Sequence, residues 1–268
     1  MSDAEVDAAE PGPEDDIEMD FFDHIGELRK RLVRIILGAL PGVVIAWAYK
    51  EHLLAFLQRP FQVAMEALEF SPELNMPSPM SMFVAYIKIS LLTGILASAP
   101  WAFYQLWAFI APGLYRREKK MAIPFVFFST LCFGTGVVFG YTVVFPMVFE
   151  TLLGFAGELP GGARIQPEIM IDDYLAITLR LIVAFGVVFE VPVVLCFLTI
   201  VGLTNWRSLL KFGRWWVAIS TLLAAFLTPP DVASQLVMLI PLVGLYYVSI
   251  VLAYLIERFQ KVGKAKKA

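Results

Sequence analysis

Residues 174–201 read YLAITLRLIVAFGVVFEVPVVLCFLTIV, with only two charges, Arg180 and Glu190, in 28 positions. A helix advances about 1.5 Å per residue and the hydrocarbon core of a bilayer is about 30 Å thick, so about 20 apolar residues cross it. Four further runs meet or approach that length, at 32–49, 83–110, 122–149 and 235–256. A sixth, 215–228, has about 14 residues, a length that suits an interfacial or re-entrant segment better than a crossing. The composition agrees: 59% of the 268 residues are hydrophobic and 17% charged, with a mean hydropathy of +0.72, a surplus that one soluble domain has no interior to hide. The expected fold class is an all-α membrane protein.

Charge placement decides the sixth run. Basic residues gather before the first run (Arg29, Lys30, Arg31, Arg34), between the second and third (Arg116, Arg117, Lys119, Lys120) and between the fourth and fifth (Arg207, Lys211, Arg214). The chain then ends in Arg258, Lys261, Lys264, Lys266 and Lys267. Lys and Arg concentrate in cytoplasmic loops, and six crossings bring every cluster to that side with both termini inside. Five would strand the basic tail outside. Residues 215–228 are therefore expected to span, at about 21 Å against about 30 Å of hydrocarbon, with the bilayer thinned beside them.

The expected organisation is a disordered acidic tail at 1–20, six spans within 21–256 and a basic cytoplasmic tail at 257–268. The acidic tail lacks the pattern of a cleaved signal peptide, so the first apolar run is expected to remain as an anchor. Between the first two runs, residues 52–68 read as an amphipathic interfacial helix. Pro229-Pro230 stops the fifth span and Asp231 can cap the sixth. Pro41, Pro100, Pro124, Pro146, Pro192 and Pro241 predict bent helices. Gly38 with Gly42, and Gly136 with Gly140, either admit close helix approach or are ordinary membrane-helix glycines.

Few residues carry chemistry. Glu190 lies near the middle of its run, where an ionised side chain costs several kcal/mol, and intramembrane acids are functional by default. Lys88 and Arg180 sit five or six residues inside their spans and are expected to snorkel to the outer interface. Glu27 and Glu118 stand out among the bases of the cytoplasmic segments. They either neutralise neighbouring arginines or bind a cationic ligand, best of all a pair of guanidinium groups held bidentately. The two histidines, His24 and His52, fall on opposite sides of the membrane, and no GxxxxGK[ST] sequence occurs, so hydrolytic and nucleotide-driven chemistry are disfavoured. Cys132 and Cys196 read as small core hydrophobes. A midplane acid is also the mark of a proton-coupled secondary transporter, which is the rival reading with Glu190 as carrier.

The segments HIGELRKRL (24–32), SAPWAFYQLWAFIAPGLYRREKK (98–120), FGYTVVFP (139–146), AFGVVFEVP (184–192) and LTPPDVASQ (227–235) together resemble the TatC family of the twin-arginine protein translocase. That resemblance covers residues 21 to about 256. It implies a curved, cup-like bundle of six transmembrane helices in the cell inner membrane, with no enzymatic activity, cofactor, metal or nucleic acid. It further implies a receptor for twin-arginine signal peptides of folded precursor proteins, self-associating and working with TatA/TatB-type single-span partners on the proton gradient. By the same resemblance Glu27 and Glu118 contact the arginine pair, Arg29 supports that surface, and Gln105 and Phe109 line the adjoining groove. Glu190 is then the buried functional acid. Tyr141, Thr228, Asp231 and Gln235 match outer or partner-binding positions, and Pro60 matches a proline of the first outer loop.

Overall fold

The computed structural model describes residues 21–68, 70–110, 122–158, 164–165, 167–228 and 232–265. Among the described residues ten α-helices carry the fold: α1 (Phe21–Ala48), α2 (Lys50–Ala67), α3 (Pro79–Ala97), α4 (Ala99–Ile110), α5 (Ala122–Phe139), α6 (Phe145–Leu153), α7 (Ile171–Val188), α8 (Val191–Ile200), α9 (Trp206–Leu227) and α10 (Val232–Ala265). Among the described residues six stretches are long and apolar enough to cross a membrane: His24–Ala48, Pro79–Ala97, Ile123–Leu153, Ile171–Ile200, Trp206–Leu227 and Val232–Phe259. Their outward faces expose Leu37, Val44, Ile123, Phe226 and Ile240, which only an apolar solvent tolerates in such number.

Several bounds differ from the sequence expectation, and proline explains most of the differences. The second run, 83–110, is two helices, α3 and α4, separated at Ser98, whose hydroxyl donates to Ile95 O at 2.8 Å. Pro100 in the first turn of α4 has no N–H for the preceding helix to use. The fourth run, 174–201, breaks at Phe189-Glu190 because Pro192 cannot donate backward. Glu190 N bonds Val187 O at 3.1 Å, a tightened turn, before Val194 N returns to Glu190 O at 2.9 Å. The third run is unbroken but widens to a π turn at Gly140–Val144, where Phe145 N donates five residues back to Gly140 O just ahead of Pro146.

The fifth run is also longer than expected. α9 has 22 residues, about 33 Å of helix, and begins where the Asn205 side chain accepts from Ser208 N at 2.9 Å. Its first turns carry Arg207, Lys211 and Arg214, so hydropathy detects only the apolar part and the figure of about 21 Å describes that part alone. α8 ends in a Schellman turn, with Gly202 at φ 82°, Leu203 N on Leu198 O at 2.9 Å and Gly202 N on Thr199 O at 3.1 Å.

Close crossings rest on glycine. A Cβ on Gly42 would stand 2.9 Å from Gly94 O, and one on Gly136 would strike Phe185 and Phe189, so the close-approach reading of both pairs holds. The main core lies between α2, α6 and α7, where Phe61, Phe145, Phe149 and fully buried Tyr174 pack ring against ring at 4.5–5.9 Å. α2, the expected interfacial helix, turns Leu54, Leu57, Phe61, Ala64 and Met65 into this core, a 3- to 4-residue period. Two short strands join the connection after α2 to the one before α7: β1 (Leu74–Asn75) pairs in parallel with β4 (Ile169–Met170), while β2 (Gly157–Glu158) and β3 (Arg164–Ile165) form a small antiparallel ribbon.

Candidate functional site

The first turns of α1 lie against α4. Gly38 leaves room for the Trp101 indole, whose Nε1 donates to Arg34 O at 2.9 Å and fixes the two helices side by side. One face of α1 then meets the end of α4. Arg31 Nε donates to Glu27 Oε1 at 2.8 Å, and its NH2 reaches the same oxygen. NH1 of Arg31 points to Oε1 of buried Gln105 at 3.5 Å. Nearby, His24 stacks on Phe109 with centroids 4.3 Å apart.

Glu27, Gln105 and Phe109, which the sequence names separately, thus share one surface. Two residues join them that the sequence reading did not single out, Arg31 and His24. The signal for Arg31 was present: it stands four residues after Glu27, the spacing at which helical side chains meet. Arg29 is only two residues on, about 200° around the helix, and is exposed beside Gly26, Lys30, Val33 and Arg34 in a shallow depression of about 430 Å³. Among the described residues it makes no ion pair. Glu118 lies outside the described residues.

Glu190 occupies the break between α7 and α8. Among the described residues its Oε1 is buried without a hydrogen-bond partner, facing α5 near Ser129 and Cys132. Ser129 is itself held by Trp107 Nε1 at 3.0 Å, within an aromatic seat of Trp107, Phe125 and Phe197. A carboxyl placed in a helix joint, with one oxygen unsatisfied, is an expensive arrangement for stability alone. Neither intramembrane cation approaches it: Lys88 Nζ lies 4.0 Å from Asp172 Oδ1, and Arg180 NH1 is 3.4 Å from Phe226 O. Cys132 and Cys196 are free thiols.

On the opposite side, Pro60 and Tyr141 prove to be one device. Pro60 lies inside α2 and has no N–H for the carbonyl four residues back, that of Phe56. The Tyr141 hydroxyl supplies that donor at 2.5 Å, with its ring stacked on Phe56 at 4.7 Å. The neighbouring Leu57 carbonyl takes the Tyr174 hydroxyl. In the α9–α10 hairpin, Thr228 Oγ1 donates to Ala224 O at 2.9 Å and Gln235 Nε2 to Thr221 O at 3.2 Å. Asp231 lies outside the described residues.

Known proteins resemble this chain along most of its length. A family model described as "Sec-independent protein translocase protein (TatC)" matches residues 23–241. The Sec-independent protein translocase protein TatC of Desulforapulum autotrophicum is 40% identical over 231 residues, 86% of this chain and 83% of that one. The TatC of Helicobacter pylori is 38% identical over 241 residues, 89% and 90% of the two chains. A crystal structure described as the twin arginine translocase receptor TatC superposes with a TM-score of 0.74 at 34% identity, covering 87% of this chain and 99% of its own.

Proposed function

The chain belongs to the TatC family of Sec-independent protein translocase proteins, and on that premise we propose that it is the receptor for twin-arginine signal peptides and the core scaffold of its translocase. It is a multi-pass membrane protein and a translocase component. The observation that carries the receptor reading is the Glu27 carboxylate, held at the edge of the bundle by Arg31 beside buried Gln105 and the stacked Phe109.

In this proposal Glu27 and Glu118 each take one guanidinium of the arginine pair, Arg29 adds to the same end of α1, and Gln105 and Phe109 border the groove for the following apolar segment. Both termini face the cytoplasm, since that orientation puts every basic cluster inside. The cup-like bundle sits in the cell inner membrane, self-associates, and works with TatA/TatB-type single-span proteins on the proton gradient. Glu190 is its functional buried acid. Thr228, Asp231 and Gln235 form the partner-binding hairpin, with Tyr141 and Pro60 at the outer rim. The rival reading, a proton-coupled transporter of small solutes, has no support among these relatives.

A charge-assisted hydrogen bond contributes about 1.5–3 kcal/mol, so two such contacts supply about 3–6 kcal/mol, a factor of about 10²–10⁴ in binding, before the apolar segment adds its own. Lysine has no planar fork and fits this arrangement poorly. The test is a photo-crosslinking signal peptide presented to the protein in membrane vesicles. Glu27→Gln and Glu118→Gln should each reduce capture of the twin-arginine peptide much more than of its twin-lysine form. Equal, small losses for both peptides would remove these acids from the site.

A further inference from the structure

The two cations inside the spans stand at the head of one groove. Between α3, α7 and α9 runs an open trough of about 660 Å³. Lys88 and Arg180 lie at one end, and Leu91, Ile95, Val187 and Leu223 are among the aliphatic side chains that wall the rest. From Lys88 to Ile95 is seven residues, about 10 Å of helix. We propose that this trough binds one anionic phospholipid, its phosphate between Lys88 and Arg180 and an acyl chain along the aliphatic wall.

Three features select that occupant. First, the charge matches: Asp172 lies 4.0 Å from Lys88, so two cations and one carboxylate leave a single net positive charge, which a phosphodiester's single negative charge balances. Both bases keep donors to spare. Arg180 gives one N–H to the Phe226 carbonyl and has four more in its planar fork, while the long contact to Asp172 leaves the ammonium open.

Second, the wall that runs on from the two cations is aliphatic. A soluble anion needs no aliphatic wall, and a spanning helix needs about 30 Å of track rather than about two turns. A lipid uses both halves. Third, the headgroup has a way down to this depth. Arg180 is nine residues beyond Ile171, the first residue of α7, which is about 13 Å of helix. α9 ends beside it, since the Phe226 carbonyl that meets Arg180 belongs to the last turn of that helix. The last carbonyls of that helix carry polar surface to the same level.

Native mass spectrometry of the purified protein, titrated with phosphatidylglycerol or phosphatidylcholine, tests this directly. The natural sequence should retain one phosphatidylglycerol at least fivefold more readily than phosphatidylcholine. Lys88→Gln with Arg180→Gln should abolish that preference, and Val187→Trp should expel the lipid with both charges in place. Lys88, Arg180 and Val187 are exposed, so these variants leave the core untouched, and an unchanged melting temperature verifies this. Equal retention of the two lipids, a preference that survives in the variants, or displacement by millimolar inorganic phosphate would overturn the assignment. So would a photo-crosslinker at Val187 that captures a single-span protein in whole membranes instead of lipid. None of these readouts involves the signal-peptide surface.

Discussion

The proline in α2 and the tyrosine of the π turn should be energetically coupled, and the size of that coupling follows from their geometry. Tyr141→Phe keeps the ring that stacks on Phe56 and deletes only the hydroxyl that serves the Phe56 carbonyl. A net intramolecular hydrogen bond is worth about 0.5–1.5 kcal/mol, and helix-to-helix bonds in membranes average about 0.6 kcal/mol. The expected loss is therefore about 1 kcal/mol, or about 2–4 °C in Tm for a chain of this size. Pro60→Ala restores a backbone N–H four residues after Phe56, so the carbonyl regains a donor from its own helix. In that background Tyr141→Phe should cost half as much or less. The assay is thermal unfolding in detergent followed with a thiol-reactive dye, for which half-buried Cys132 and Cys196 are built-in reporters. An identical drop in both backgrounds would refute the reasoning, because the hydroxyl would then be serving something other than the gap left by Pro60.

Three further outcomes are expected. Gly94→Val places a side chain against the Val43 backbone and should cost about 1–3 kcal/mol by overpacking, read as a lowered Tm; Gly134→Ala, with nothing near its added carbon, is the neutral control. Arg31→Gln removes a partner that an incoming guanidinium must share or displace. An i,i+4 pair of this kind is worth about 0.3–0.5 kcal/mol, so twin-arginine peptide binding should tighten about twofold, and weaker binding would show that Arg31 instead orients Glu27. Glu190→Gln lightens the desolvation cost of a buried carboxyl, so Tm should hold or rise while transport of a folded precursor falls at least tenfold; undiminished transport would reduce Glu190 to a structural role.

Six long apolar stretches were legible because the bilayer demands one repeated length, and hydropathy reports it without any knowledge of tertiary contacts. Helix ends were less so. The joint at Glu190 hides in an uninterrupted apolar run, marked only by Pro192, and a proline in a membrane helix either bends or divides it according to neighbours the sequence does not display. α9 was cut short in the reading because Arg207, Lys211 and Arg214 lower hydropathy without lowering helix propensity. At the candidate site, Glu27, Gln105 and Phe109 were named from motif, yet their proximity depends on α4 folding back along α1 through Trp101, a contact 67 positions apart in the chain. Pro60 and Tyr141 were likewise named as separate positions, and only the spatial match of a missing donor with a spare hydroxyl unites them.

The ladder between β1 and β4, though only two residues long, binds the loop after α2 to the loop before α7 through backbone bonds, and Asn75 Nδ2 adds a side-chain stitch to Glu168 Oε1 at 3.2 Å. Those loops come from different crossings, so on that rim the bundle is hooped, whereas the described contacts at the start of α1 are made by side chains reaching α4. Any widening to admit cargo would thus meet unequal resistance: the end where α1 begins can spread by rotating side chains, while the laced end must first snap a strand pairing.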